Sequence, residues 1–101
     1  MTDNDLTYEI RGAIFDVYNE LGPGLLESVY EEALAFELKT PLRLDLLIEN
    51  QIIVELKSVE EMKPVFAKQL LTYLRLLDKR VGLLVNFNSS NIREGIKRIA
   101  N

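Results

Sequence analysis

The chain contains no cysteine and no histidine. The first absence excludes disulfides and thiolate-bound metals. The second removes Ser-His catalysis, imidazole zinc sites and the commonest general base. Chemistry therefore has to come from carboxylates, Lys, Tyr, amides or a hard metal ion held by oxygen. Long apolar runs are lacking too, and none approaches the length that spans a membrane, so no membrane partner is expected. The opening Met1-Thr-Asp-Asn-Asp is polar and acidic, unlike a basic-plus-apolar secretion signal, which makes cytoplasm the expected location. Cations are in deficit, 12 against 16 carboxylates, for a formal charge of −4 and a pI near 4.8. A domain that held nucleic acid by its overall field would be basic. Any such contact here needs charge arranged locally.

What is present suits one domain over residues 1–101, since 48% of the residues are apolar and one core can be built without staples. Leu6, Ile10, Ala13, Ile14, Val17 and Leu21 recur at helical spacing, predicting a helix from about Asp5 to Leu21 that Gly22-Pro23-Gly24 stops. A second helix is expected from roughly Leu26 to Leu38, with Val29, Tyr30, Ala33, Leu34 and Leu38 on or near one face. Thr40-Pro41 ends it, because the residue before proline is pushed out of the α region. Leu42–Glu49 and Ile52–Ser58 read as two strands joined by a turn at Asn50-Gln51. On the first strand Leu42, Leu44, Leu46 and Ile48 share a face, and Arg43, Asp45, Leu47 and Glu49 the other. On the second, Ile52, Val54 and Leu56 oppose Ile53, Glu55 and Lys57.

A third helix should open near Pro64, which suits a first turn, and run to about Leu77 on Leu70, Leu71, Leu74 and Leu77. Val81–Phe87 is nearly all apolar and reads as a strand buried on both faces. Ser89-Ser90-Asn91 looks like a capping cluster for a last helix holding Ile92, Ile96 and Ile99. The expected order is ααββαβα, an α/β fold with a small mixed sheet flanked by helices.

If the hairpin turns at Asn50, Asp45 lies opposite Glu55, and opposed residues of an antiparallel pair point to one side. Two carboxylates so placed repel unless a cation sits between them. Mg²⁺ or Mn²⁺ suits that place, and Lys57 would stand beside it. The plain alternative is a solvated hairpin face with alternating charges. Glu27 likewise has an ordinary explanation, since a carboxylate near a helix N-terminus is favoured by the dipole. Tyr30 fits a core-edge ring whose hydroxyl reaches a polar partner. Gln69 and Tyr73, four apart, share a helical face and would border the site, though a surface amide and a packing ring are as ordinary.

Gly24-Leu-Leu-Glu27-Ser-Val-Tyr30 fits G-x-x-E-x-x-Y. With Arg43-Leu-Asp45-Leu-Leu, Val54-Glu55-Leu-Lys57, Gln69-Leu-Leu-Thr-Tyr73, Leu84-Val-Asn86-Phe-Asn88 and Gly95-Ile-Lys-Arg98-Ile, the chain closely resembles the bacterial GxxExxY family of the PD-(D/E)XK nuclease-like superfamily. The resemblance implies a restriction-endonuclease-like core. It makes Asp45 and Glu55 metal carboxylates, Lys57 the signature lysine, Glu27 the acidic residue of the preceding helix, and Gln69 and Tyr73 the Q-x-x-x-Y pair of RecB-type nucleases. The implied activity is Mg²⁺-dependent hydrolysis of DNA, ahead of RNA. The competing function is an inactive module or accessory subunit that keeps the fold and binds a protein or nucleic-acid partner. The family pattern carries a further stretch before the Asp strand, whereas here Glu37-Leu-Lys-Thr-Pro41 runs almost directly into Leu42. A shortened sheet should expose an edge, so a homodimer is expected, by sheet extension or by exchange of the N-terminal helices across Lys39–Pro41.

Overall fold

The computed structural model describes residues 1–40 and 46–101. Helix α1 spans Asp3–Leu21 and opens on a reciprocal cap. The Thr2 hydroxyl accepts from the Asp5 N–H at 3.0 Å, and the Asp5 carboxylate accepts from the Thr2 N–H at 3.4 Å. It ends at Gly22, whose φ of 70° lies in the left-handed region where a side chain is strained. Helix α2 spans Glu27–Glu37. Strands β1, Leu46–Ile48, and β2, Ile52–Lys57, form the expected hairpin, with Leu46 opposite Val54 and Ile48 opposite Ile52. Helix α3, Pro64–Leu76, starts at the proline as expected and crosses to β3, Val81–Asn86, which runs parallel to β2. The strand order is β1-β2-β3-β4, and β3 is buried along its whole length.

The last element corrects the sequence reading. Ile96–Ala100 is not a helix but strand β4, antiparallel to β3, so the order is ααββαββ. Three causes work together. Asn91 folds its side chain onto the Arg93 N–H at 3.1 Å, an Asx turn rather than a helix cap. The turn then ends at Gly95. Without β4, one side of β3 would leave a row of backbone groups unpaired in a buried setting, and pairing outweighs the helical spacing of three isoleucines. The pattern splits accordingly: Ile92 and Ile96 join the core beneath α1 and α2, while Ile99 packs on the α3 side.

Two apolar clusters sandwich the sheet. On one face Ile10, Ile14, Tyr30 and Leu34 of α1 and α2 meet Leu46, Ile48, Ile52, Val54, Leu83 and Val85. On the other, Leu70 and Leu74 of α3 meet Ile53 and Leu84, with Leu47, Phe66 and Ile99 half-buried around them. Leu77 was expected in the α3 stripe but caps the helix and is exposed. The second hairpin face is therefore not a charged, solvated one: α3 covers it, and Glu55 and Lys57 stand at its rim.

Candidate functional site

Residue parity on β2 aims Ile53, Glu55 and Lys57 at α3. Glu55 is buried there. Lys57 is half-buried, its ammonium 3.9 Å from a Glu55 oxygen and 4.5 Å from the centre of the Phe66 ring, over its face. A carboxylate taken into an apolar layer costs stability unless it is paired, and the Lys57 ammonium stands beside this one. The structure thus brings two of the expected site residues together. Asp45 lies outside the described residues.

The other expected residues are exposed. Glu27 is exposed in the first turn of α2, where the helix dipole favours it, and α2 covers the opposite face of the sheet. Gln69 and Tyr73 are exposed on the outer side of α3 and line a shallow cleft with Val65, Lys68 and Thr72. Among the described residues no group of three or more acidic side chains is close enough to hold a metal ion.

The tyrosine of the G-x-x-E-x-x-Y segment is architectural. Tyr30 is fully buried and stacked on Phe87, ring centres 4.3 Å apart and planes 7° from parallel. Its hydroxyl donates to the Gly22 carbonyl at 2.5 Å and accepts from the Leu25 N–H at 3.1 Å. It thereby shapes the loop that launches α2. The Ser58 hydroxyl donates to the Leu25 carbonyl at 2.5 Å, tying that loop to the exit of β2, one residue past Lys57.

Asn86 and Asn88 carry a role that the strand pattern alone did not reveal. Asn86 is buried at the end of β3 beside Lys57. Its side-chain oxygen accepts from the Val59 and Asn88 N–H groups at 3.2 and 3.1 Å, and its amide donates to the Val59 carbonyl at 3.0 Å. The Asn88 amide donates to the same carbonyl at 3.2 Å. Together they fix the chain leaving Lys57. The signal was two amides closing an otherwise apolar strand.

A model of the PD-(D/E)XK nuclease superfamily matches residues 4–43 and 38–99. The chain belongs to that superfamily. The α/β fold with its mixed sheet between helices agrees with a restriction-endonuclease-like core. No curated protein and no solved structure matches the chain. No described helix is long and apolar enough to cross a membrane.

In this superfamily member the charge is divided unevenly along the chain. Residues 1–37, which build α1 and α2, hold nine carboxylates and one cation, Arg11. Residues 57–101 hold nine cations and four carboxylates. Lys63 and Lys97 line one cleft at the start of α3 with Pro64, Ala67 and the carboxylate Glu94, on the sheet face to which Lys57 also turns. Lys68 lines the neighbouring cleft on α3. The overall negative charge conceals a cationic C-terminal segment.

Proposed function

We propose that the chain is a nuclease-fold module that binds nucleic acid on its α3 face and serves as an accessory subunit rather than cutting by itself. The observation that carries this reading is the group of lysines on that face. Lys63, Lys68 and Lys97, with Lys57 at the sheet rim, gather on the side away from the acidic helices. Lysines so grouped can contact successive phosphates without reading bases. The division of charge would also orient a polyanion, repelling it from α1 and α2. Its finer placement as a GxxExxY protein shortened after α2 rests on the Gly24–Tyr30 segment and on the short run from Glu37 to Pro41.

The test is fluorescence anisotropy with a labelled DNA oligonucleotide, single- and double-stranded, across a salt series. Binding should weaken linearly on logarithmic axes, and Lys63→Ala with Lys97→Ala should lower the slope by roughly one for each phosphate left without its lysine. Binding that is absent at low salt, or indifferent to those lysines, refutes the reading.

A second reading, Mg²⁺- or Mn²⁺-dependent hydrolysis of DNA, is favoured by the Glu55–Lys57 separation of 3.9 Å. It takes Asp45 and Glu55 as metal ligands, with help from Glu27, and Lys57, Gln69 and Tyr73 as assisting residues. The same oligonucleotides incubated with either ion distinguish the two. Cleavage abolished by Asp45→Ala and by Lys57→Ala in folded protein would favour hydrolysis over the accessory role.

The proposal includes a homodimer. Among the described residues β1, Leu46–Ile48, lies at the sheet edge, where a second copy could pair with its outer backbone groups. Light scattering at micromolar concentration should give twice the chain mass, and the mass of one chain would refute it.

A further inference from the structure

We infer that the cleft between α1 and α2 is a docking site for a basic amphipathic segment of a partner protein. Helix α2 carries two apolar stripes where one would suffice for packing. Tyr30, Leu34 and Ala35 are buried in the core, whereas Val29, Ala33 and Phe36, spaced at i, i+4 and i+7, form a separate row. Phe36 is 85% exposed and Val29 is 39% exposed. With Val17 and Leu21 of α1 they line an open cleft of about 590 Å³. A contiguous apolar surface with a polar rim marks an interaction site, where a lone exposed leucine would not.

The rim decides the chemistry of what docks. It consists of Glu20 from α1 and Glu32 and Glu37 from α2, with no cation among the described lining residues. A complementary segment presents apolar side chains at helical spacing and Lys or Arg on their flanks. A second copy of the chain fits poorly. Pairing the cleft with itself about a two-fold axis would set these three glutamates against their own counterparts. The chain's own apolar pair beside cations, Leu76-Leu77 next to Arg75, Lys79 and Arg80, lies elsewhere on the surface. Docking it into another copy would be head-to-tail and would form rings or open chains rather than a two-fold dimer. The cleft lies on the opposite side of the sheet from Glu55 and Lys57, so this inference does not depend on the nucleic-acid reading.

The test uses the full chain and a fluorescent helical peptide of Leu and Lys, about four turns long, with its leucines on one face. Anisotropy should show saturable binding of this peptide and none of a Leu/Glu counterpart. Phe36→Ala should weaken binding roughly tenfold or more, since it removes the central anchor. Its ring is in solvent, so the thermal melt of that variant should match the parent. Glu32→Lys with Glu37→Lys should weaken binding as well. Failure to bind the Leu/Lys peptide, or binding that Phe36→Ala leaves unchanged, overturns the inference. So does a dimer that Phe36→Ala converts to a monomer, because the cleft would then be covered by a second copy.

Discussion

Tyr30→Ala is expected to destabilise the fold by about 3–5 kcal/mol, the range for truncating a buried aromatic. Three losses coincide at this position. The ring leaves a cavity beneath α2, Phe87 loses the ring stacked on it at 4.3 Å, and the Gly22 carbonyl and Leu25 N–H lose their shared partner. The effect should reach beyond α2. Phe87 follows β3 directly, and its N–H donates to the Lys57 carbonyl at 2.9 Å, so a shifted Phe87 disturbs the backbone at Lys57. Tyr30→Phe separates the terms: it keeps the stack and loses only the hydroxyl, for about 1–2 kcal/mol. Urea denaturation of both variants measures the difference. Equal losses would show that the hydroxyl, and not the ring, holds this corner.

Gly95→Ala should cost about 1–3 kcal/mol or more through overpacking. A Cβ placed there would stand 2.6 Å from the Ser89 hydroxyl oxygen and 2.7 Å from the Asn86 carbonyl oxygen. The first clash can be relieved by side-chain rotation, but the second cannot, because it is backbone. That backbone is committed twice over: the Asn86 N–H donates to the Gly95 carbonyl at 2.8 Å, and the Asn86 side chain holds Val59. Adding Ser89→Gly to Gly95→Ala should therefore restore only part of the stability. A fall in melting temperature of roughly 4–8 °C per kcal/mol makes the comparison accessible to calorimetry. Complete rescue would locate the whole conflict at Ser89 and leave the carbonyl irrelevant.

Both predictions concern residues whose importance local sequence could only hint at. The glycines around Pro23 announced a turn, yet nothing in the spacing of Tyr30 revealed that its hydroxyl closes that turn or that Phe87 supplies the stacking ring. Gly95 looked like an ordinary interruption in a run of isoleucines. Its meaning depends on Asn86 and Ser89, which reach it only after the chain has reversed.

The period of the apolar residues, and the prolines and glycines between them, determined α1, α2, α3 and the first three strands. These signals act within a few residues, where side-chain alternation and φ restriction operate directly. The same alternation put Glu55 and Lys57 on one face, and the resemblance carried by these segments pointed to the superfamily before any coordinates. Tertiary structure alone decided three things. It made Ile96–Ala100 a strand, because the open side of β3 needed backbone partners. It placed Gln69 and Tyr73 on the exposed side of α3, whose buried residues are Leu70 and Leu74. And it brought Lys63, at the start of α3, and Lys97 of β4 to one cleft, although they lie 34 positions apart in the chain.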